Sequence, residues 1–223
     1  MYQLIIFDWD GTLMDSAQKI ANCIKASANQ CGLAEPSDQQ AKNIIGLGLS
    51  EAMAILFPQA NEAQLRELVE CYKYQFVTAD ETEQTLFEGV EDGLQKLQDQ
   101  GAELAIATGK SRAGLDRVFA NSDLQKYFIA TRCADETQNK PNPQMLYEIL
   151  DFTSIDPSKV IMVGDTSYDL DMAKNAGIAG LGAAYGVHSQ STLLASGALY
   201  AASSFADLLE WLLDGRVETA YDK

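Results

Sequence analysis

The sequence has few of the residues from which several common sites are built. It contains a single histidine, His188, which excludes a metal site made of several histidines. His188 stands in a Gly- and Ser-rich segment, and we expect it to be solvated. The four cysteines lack the spacing of metal ligands, so we interpret them as free thiols of a cytoplasmic protein. The segment Gly109-Lys110-Ser111 is half a P-loop, but Leu104 stands where that motif needs its first glycine.

Long apolar runs and positive charge are also scarce. No apolar run approaches the roughly 20 residues of a membrane-spanning helix, so we expect no membrane span. Aspartates interrupt the N-terminal apolar run and no basic region precedes it, which argues against a signal peptide. Sixteen basic residues stand against 32 acidic ones, a formal charge of −16. This argues against nucleic acid or an anionic membrane as partner, but a few lysines can still hold a small anionic substrate.

The N-terminal run 4–7 is short, apolar and rich in β-formers, and it ends in Asp8 and Asp10. This pattern predicts a strand buried on both faces of a parallel sheet, followed by a turn at Gly11. The two carboxylates then lie at the carboxyl end of the strand, where open α/β sheets bind their ligands. Carboxylates this close require a cation or a shared proton. Asp-x-Asp is common by chance, so the later motifs must decide its meaning.

Residues 15–83 have helical periodicity throughout. Asp15 or Ser16 is expected to cap a first helix, and Asn61 to cap a long amphipathic one. We predict about four helices that form an all-helical cap domain over residues 15–83, named the helical insert below. Residues 1–14 and 84–223 are predicted to form the α/β core domain. An insert after the first strand is placed to act as a lid above Asp8.

Beyond residue 84, apolar strands alternate with helices. Strands are predicted over 102–107 and 160–163, with short strands over 127–130 and 179–184, the latter being the last. A final packing helix is expected to contain Trp211. This alternation predicts a Rossmann-like parallel sheet with right-handed crossovers.

Polar residues follow three of the predicted strands, and a lysine joins them from a proline-rich loop. The set comprises Asp8, Asp10, Thr108, Gly109, Lys140, Asp165 and Asp169. Parallel strands bring their carboxyl ends to one edge, so these residues are expected to surround one crevice. A nucleophile, a cation and several carboxylates are the groups that phosphoryl transfer requires.

Each member of this set suits one step of that chemistry. Asp8 can attack phosphorus to form an aspartyl-phosphate, and a Mg²⁺ ion on Asp8 and Asp165 can screen the repulsion between anions. Asp10 can protonate the leaving alkoxide and then activate water. The hydroxyl of Thr108, the backbone N–H groups at Gly109 and the ammonium of Lys140 can hold phosphate oxygens.

Four segments resemble the motifs of the haloacid dehalogenase-like hydrolase superfamily, and they are 8–13, 107–110, 140–143 and 164–169. The insert after the first motif is similar to that of the capped subfamily. Segments 45–49 and 186–189 look like those of phosphoglycolate phosphatases. The resemblance implies a HAD-like fold, a Mg²⁺ cofactor and a phosphatase that acts on a small phosphorylated metabolite.

The resemblance also implies roles for individual residues. Asp8 would be the nucleophile and Asp10 the acid/base. Asp165 and the main-chain carbonyl of Asp10 would join Asp8 on Mg²⁺, with Asp169 in support. Lys110 is either a second cation facing the phosphate or a solvated lysine, and the sequence leaves both open. Glu88 departs from the proline that relatives usually have there, which is expected to loosen the hinge after the helical insert.

Other functions share parts of this pattern. A phosphomutase of the β-phosphoglucomutase type would keep the same core motifs and differ in its cap. Dehalogenases of the family lack the second aspartate of the first motif, so Asp10 disfavours that activity. A phosphonate-cleaving relative would need a lysine in the insert, and none stands in a recognisable signature. A non-catalytic binding protein on this scaffold would be expected to have lost motif residues, and none is lost. The substrate and the oligomeric state stay open, with phosphoglycolate as the first substrate to test.

Overall fold

Residues 1–214, which the computed structural model describes, form a parallel β-sheet flanked by helices. The strands are β1 (Leu4–Phe7), β2 (Met14–Asp15), β3 (Thr85–Leu86), β4 (Glu103–Thr108), β5 (Ala130–Cys133), β6 (Val160–Gly164), β7 (Ala179–Ala183) and β8 (Ala201–Ala202). Six of them form one sheet in the order β5-β4-β1-β6-β7-β8, and every neighbouring pair is parallel. The predicted Rossmann-like parallel sheet is confirmed.

Helices connect the strands and cover both faces of this sheet. They are α1 (Ala17–Gln30), α2 (Asp38–Asn43), α3 (Leu49–Leu56), α4 (Glu62–Tyr74), α5 (Val90–Asp99), α6 (Arg112–Ala120), α7 (Gln144–Thr153), α8 (Ser167–Ala176), α9 (Gln190–Ala195) and α10 (Phe205–Leu213). A π-helical turn, Gln75–Ala79, continues α4. Within residues 1–214, no helix has the length and apolar character needed to cross a bilayer.

Strand β1 lies in the centre of the sheet and is buried on both faces. Leu4 and Ile6 pack into one apolar cluster, whereas Ile5 and Phe7 pack into the cluster on the opposite face. The backbone N–H of Asp8 continues the pairing with β6 by donating to the Val163 carbonyl at 2.9 Å. The ends of β1, β4 and β6 therefore meet at one edge of the sheet.

The helical insert has an apolar core of its own. Side chains from α1 to α4, among them Ile24, Met53 and Leu68, form a cluster separate from those around the sheet. The chain leaves and re-enters the core through β2 and β3, which pair antiparallel. This two-stranded ribbon was not predicted, because each strand is only two residues long. The ribbon ties the two ends of the insert together beside the carboxyl edge of the sheet.

Two of the short strands differ from the prediction. The strand expected over 127–130 is wrong, because Leu124–Tyr127 forms a 3₁₀ turn and β5 begins only at Ala130. Leu124 and Tyr127 both bury their side chains in the main core, which holds this segment as a turn. The strand over 179–184 is present as β7 but is not the last, since β8 pairs beside it. Two alanines make up β8, so it lacks the apolar pattern of a strand.

Candidate active site

The carboxyl edge of the sheet carries the predicted site residues. Asp8 follows β1, Thr108 ends β4, and Asp165 follows β6. Carboxylate oxygens of Asp8, Asp165 and Asp169 lie within 4.8 Å of one another, and all three residues are buried. Adjacent parallel strands thus bring together residues that are far apart in the sequence.

Lys140 joins this cluster from the loop before α7. Its Nζ lies 2.9 Å from Asp8 Oδ1 and 2.6 Å from Asp169 Oδ1, and the side chain is fully buried. Burial by itself lowers a lysine pKa, but the carboxylates of Asp169 and Asp8 outweigh it and raise the pKa of Lys140. Lys140 is therefore a fixed cation between two carboxylates.

Asp8 is the least satisfied carboxylate of the site. Although Lys140 is an ion-pair partner, neither oxygen of Asp8 accepts a well-directed hydrogen bond from residues 1–214. Burial raises the pKa of Asp8 to about 7, against the lowering effect of Lys140. A buried oxygen atom that accepts no hydrogen bond costs free energy unless a cation or a substrate atom binds to it.

Asp165 is held in place by the loops that follow β1 and β7. Its Oδ1 accepts a hydrogen bond from the Thr12 hydroxyl at 3.1 Å, and its Oδ2 accepts one from the Val187 N–H at 2.9 Å. Burial, followed by the nearby charge of Asp8, raises its pKa well above the usual range. The approach is so close that a Cβ on Gly11 or Gly186 would collide with the Asp165 side chain. Thr12 and Val187 lie in the segments 8–13 and 186–189 that resemble the relatives, but the sequence assigned neither residue a role in the site.

Among the described residues, Asp169 is contacted by three donors, against two for Asp165 and the Lys140 ammonium alone for Asp8. Oδ1 meets Lys140, while Oδ2 accepts hydrogen bonds from the Thr166 N–H at 3.1 Å and the Thr166 hydroxyl at 2.7 Å. These contacts close a capping box at the start of α8. Asp8 and Asp165 are thus the better candidates for metal ligands, and Asp169 orients its neighbours.

The oxygen ligands present at this site fit a hard divalent cation. Mg²⁺ prefers carboxylate and carbonyl oxygen atoms. Asp8 and Asp165 supply carboxylate oxygens in a buried setting that raises the pKa of both groups. Such a setting favours a bound cation, because the cation removes the cost of burying the ionised carboxylates.

Asp10 has a different environment from Asp8. The Ser16 hydroxyl donates to Asp10 Oδ1 at 2.7 Å, and Lys110 Nζ lies 2.8 Å from Asp10 Oδ2. Lys110 is therefore not the solvated lysine of one prediction, since its side chain is only 9% exposed and points to the site. Ser16 precedes α1, but its side chain caps no N–H of that helix, contrary to expectation. It binds Asp10 instead.

Thr108 and Gly109 form the floor of the site beside Asp8. Thr108 is buried, and its Oγ1 accepts a hydrogen bond from the Lys110 N–H at 3.2 Å. Gly109 lies against the helical insert so closely that a Cβ there would collide with the Gly46 carbonyl. Gly46 has a φ of +99°, a conformation that favours glycine. The loop of the insert thus rests directly on the core motif that contains Gly109.

His188 is only partly exposed to solvent, so the expectation of a solvated side chain holds only in part. The residue is half-buried, and its Nδ1 accepts a hydrogen bond from the Ser167 N–H at 2.9 Å. Burial lowers its pKa, against a smaller raising effect of Asp169. His188 therefore caps the first turn of α8 through Nδ1, next to Asp165, while the residue stays partly exposed.

A cavity of about 510 Å³ lies between the helical insert and the edge of the sheet. Asp8, Asp10, Thr108 and Gly109 line its core side, and residues of α1, α4 and the loop before α3 line the opposite side. The site therefore opens into a chamber of a size typical for small-molecule ligands.

Comparisons with known proteins agree with this arrangement. The family model described as haloacid dehalogenase-like hydrolase matches residues 5–183. A phosphoglycolate phosphatase of Vibrio vulnificus is 31% identical over 222 residues, covering 95% of this chain and 96% of the relative. A probable phosphatase of Dickeya dadantii, IndB, is 30% identical, and the match covers 94% of this chain and 93% of the relative. The solved structure of a predicted phosphatase from Clostridium acetobutylicum superposes with a TM-score of 0.84 at 25% identity, covering 96% of this chain and 99% of that one.

Proposed function

This chain belongs to the haloacid dehalogenase-like hydrolase family, and on that premise we propose that it is a Mg²⁺-dependent phosphatase of small phosphomonoesters. The reaction proceeds through an aspartyl-phosphate on Asp8. The observation that carries the proposal is the environment of Asp8, whose buried oxygens accept no well-directed hydrogen bond from residues 1–214 although the Lys140 ammonium lies 2.9 Å away. The names of the similar phosphatases support the same reaction class.

In the first half-reaction, an oxygen of ionised Asp8 attacks phosphorus and displaces the leaving alkoxide. Asp10 gives its proton to that alkoxide, so the product leaves as an alcohol. Ser16 and Lys110 hold the two oxygens of Asp10, which fixes the direction of its carboxyl group. The Lys110 ammonium can also offset the negative charge that Asp10 carries once its proton has left.

In the second half-reaction, water attacks the phosphorus of the aspartyl-phosphate. Asp10, now ionised, accepts a proton from that water, and the bond between phosphorus and the Asp8 oxygen breaks. Inorganic phosphate is released, and Asp8 and Asp10 return to their starting states. One residue thus serves as acid and then as base, as the two successive steps require.

The residues proposed to hold Mg²⁺ are Asp8, Asp165 and the main-chain carbonyl of Asp10, with Asp169 in support. When bound, the ion supplies positive charge that screens the repulsion between the nucleophile and the phosphate dianion. Thr12 and Val187 keep Asp165 in one orientation for this purpose.

Phosphate oxygens are proposed to bind Lys140, the Thr108 hydroxyl and backbone N–H groups at Gly109. Asp169 holds Lys140 by a 2.6 Å contact, so its charge is already oriented before substrate enters. Such preorganised charge lowers the barrier because little reorganisation is needed during the reaction.

The helical insert, residues 15–83, is proposed to be the cap that closes this site. It is joined to the core through the β2–β3 ribbon and rests on Gly109 through Gly46. Closure excludes bulk water and large substrates, which fits a small phosphorylated metabolite as substrate.

The experiment is phosphate release from a panel of phosphate esters, with Mg²⁺ and then with EDTA. Phosphoglycolate, hexose phosphates, nucleoside monophosphates and simple alkyl and benzyl esters form the panel, and Asp8→Asn is the control variant. We expect release that needs Mg²⁺ and is absent in Asp8→Asn, a variant that still folds. Isomerised sugar phosphate without net release would establish a phosphomutase instead. No turnover of any ester with Mg²⁺ present would contradict the proposal.

A further inference from the structure

The wall of the cavity that faces the catalytic edge is largely apolar, and the polar side chains on the side of the helical insert are those of Ser50, Tyr72 and Lys73. On the side of the helical insert, it is formed chiefly by Ile20, Ile24, Ile45, Val69, Tyr72 and Phe76. These side chains come from α1, α4, the π-helical turn and the segment before α3. The part of a phosphomonoester that lies beyond the phosphate must occupy this region, because the phosphate itself is committed to the core side. The chemistry of the wall therefore indicates which kind of leaving group the cavity can bind.

The cations around the cavity are few, and most are already paired. Lys110 is held by Asp10 at 2.8 Å, and Lys73 is more than half exposed and paired with Glu70 at 2.6 Å. Arg117 also lines the cavity, but it is exposed. Among residues 1–214, the cavity therefore offers no buried cation that is free to neutralise a carboxylate placed close to the phosphate.

The charge of the site points the same way. Among residues 1–214, four carboxylates surround the reacting position, those of Asp8, Asp10, Asp165 and Asp169. Two ammonium groups stand against them, those of Lys110 and Lys140. A phosphate dianion adds further negative charge. A second anion on the leaving group would then be desolvated against apolar walls without a partner, which is costly. Sugar hydroxyls would also lack hydrogen-bond partners along most of this wall.

Phe76 is the wall residue that lies beside Lys110. Its ring stacks with Tyr72 at a centroid distance of 5.6 Å, and Lys110 Nζ lies 5.2 Å from the ring centroid. Lys110 in turn contacts Asp10, so the ring stands one side chain away from the proposed acid. Phe76 belongs to the π-helical turn, an irregularity that is common at functional sites.

We propose that the physiological substrate is a phosphomonoester whose leaving group is uncharged and largely apolar, with room for a ring against Phe76 and Tyr72. This inference rests on the proposed phosphatase activity and narrows it. It disfavours phosphoglycolate, whose short leaving group carries a carboxylate, and it disfavours sugar phosphates.

The test compares esters that differ in the leaving group but not in intrinsic reactivity. Benzyl phosphate and para-carboxybenzyl phosphate form one matched pair, and ethyl phosphate and phosphoglycolate form the small-ester arm. We expect kcat/KM for benzyl phosphate to exceed that for its carboxylate analogue by about tenfold or more. Phe76→Ser should lower kcat/KM for benzyl phosphate about tenfold through KM, and lower it less for ethyl phosphate, which presents less apolar surface to the ring. Phe76→Leu, which keeps an apolar side chain, should be close to wild type.

The outcomes separate this inference from the activity on which it rests. If no ester releases phosphate with Mg²⁺, the phosphatase itself is refuted. If esters are hydrolysed but phosphoglycolate, the carboxylate analogue or a hexose phosphate is preferred, the phosphatase stands and the apolar leaving group is refuted. Arg117→Ala identifies the cause in that case, because loss of the preference in this variant would assign carboxylate recognition to Arg117.

Discussion

Lys140→Met tests the buried charge cluster at the centre of the account. Met keeps the length and apolar stem of lysine but removes the ammonium group, which lies 2.9 Å from Asp8 and 2.6 Å from Asp169. Removing one partner of a buried ion pair costs about 3–5 kcal/mol. For a chain of 223 residues, each kcal/mol lowers the melting temperature by roughly 2–4 °C. The metal-free variant should therefore melt roughly 6–20 °C below the wild type.

A double-mutant cycle shows whether this loss comes from the pair itself. Asp169→Asn alone should also destabilise the metal-free protein, because it leaves the Lys140 ammonium with only Asp8. The double variant should be more stable than the sum of the single losses by about 2 kcal/mol, measured by denaturant unfolding without Mg²⁺. Losses that add within about 0.5 kcal/mol would refute the coupling. A Lys140→Met variant as stable as the wild type would refute the buried cluster.

Three further perturbations test other parts of the site. Because the pKa of Asp8 is raised from 3.8 to about 7, the folded metal-free protein binds more protons than the unfolded chain between these values, so its stability should fall as pH rises through that window. Mg²⁺ at 100 times its Kd should then add about 2.7 kcal/mol to the free energy of unfolding. The Mg²⁺ concentration needed for the same rise in melting temperature should be higher at pH 5 than at pH 8. Melting temperatures without this pattern would contradict the burial of Asp8. Ser16→Ala should lower kcat about tenfold for alkyl esters but much less for p-nitrophenyl phosphate, whose leaving group needs no acid, and equal losses would remove Ser16 from the positioning of Asp10. Gly109→Ala should raise KM and lower the melting temperature, because its Cβ would collide with the Gly46 carbonyl, and an unchanged variant would show that the insert does not rest there.

The sequence predicts the site residues at the strand ends, because each of these ends combines an apolar run with a polar residue at or directly after its last position. Asp8 and Asp165 each follow a short apolar run, and Thr108 closes another, so burial of the strand predicts where the polar residue emerges. Topology then brings these ends together, since β4 and β6 both pair with β1. This part of the fold depends on patterns over a few residues each.

Other contacts depend on side-chain directions that no short pattern contains. Ser16 looks like a helix cap in the sequence, but its hydroxyl binds Asp10 because the turn over residues 9–14 folds the start of α1 back beside the first motif. Lys110 was undecided between site and solvent, and only the position of Asp10 and Phe76 shows that it faces the site.

The apolar cavity wall was likewise hidden in the sequence. Ile20, Ile24 and Val69 have the spacing of core residues, and they do belong to the core of the helical insert. Their second surface, toward the cavity, exists only because the insert rests on Gly109 through Gly46. The docking of the two parts is set by contacts between distant segments, so the periodicity of either part alone does not predict it.

Trapping of the aspartyl-phosphate tests the central claim most directly. Asp10→Ala, mixed with Mg²⁺ and p-nitrophenyl phosphate bearing a radiolabelled phosphoryl group, should form the intermediate without an acid but hydrolyse it slowly for lack of a base. We predict a label on the denatured protein that is stable in acid, is released by hydroxylamine and maps to the peptide containing Asp8. The label should be absent from the double variant Asp8→Asn/Asp10→Ala. Turnover with no label, or a label that persists when Asp8 is replaced, would contradict the proposed nucleophile.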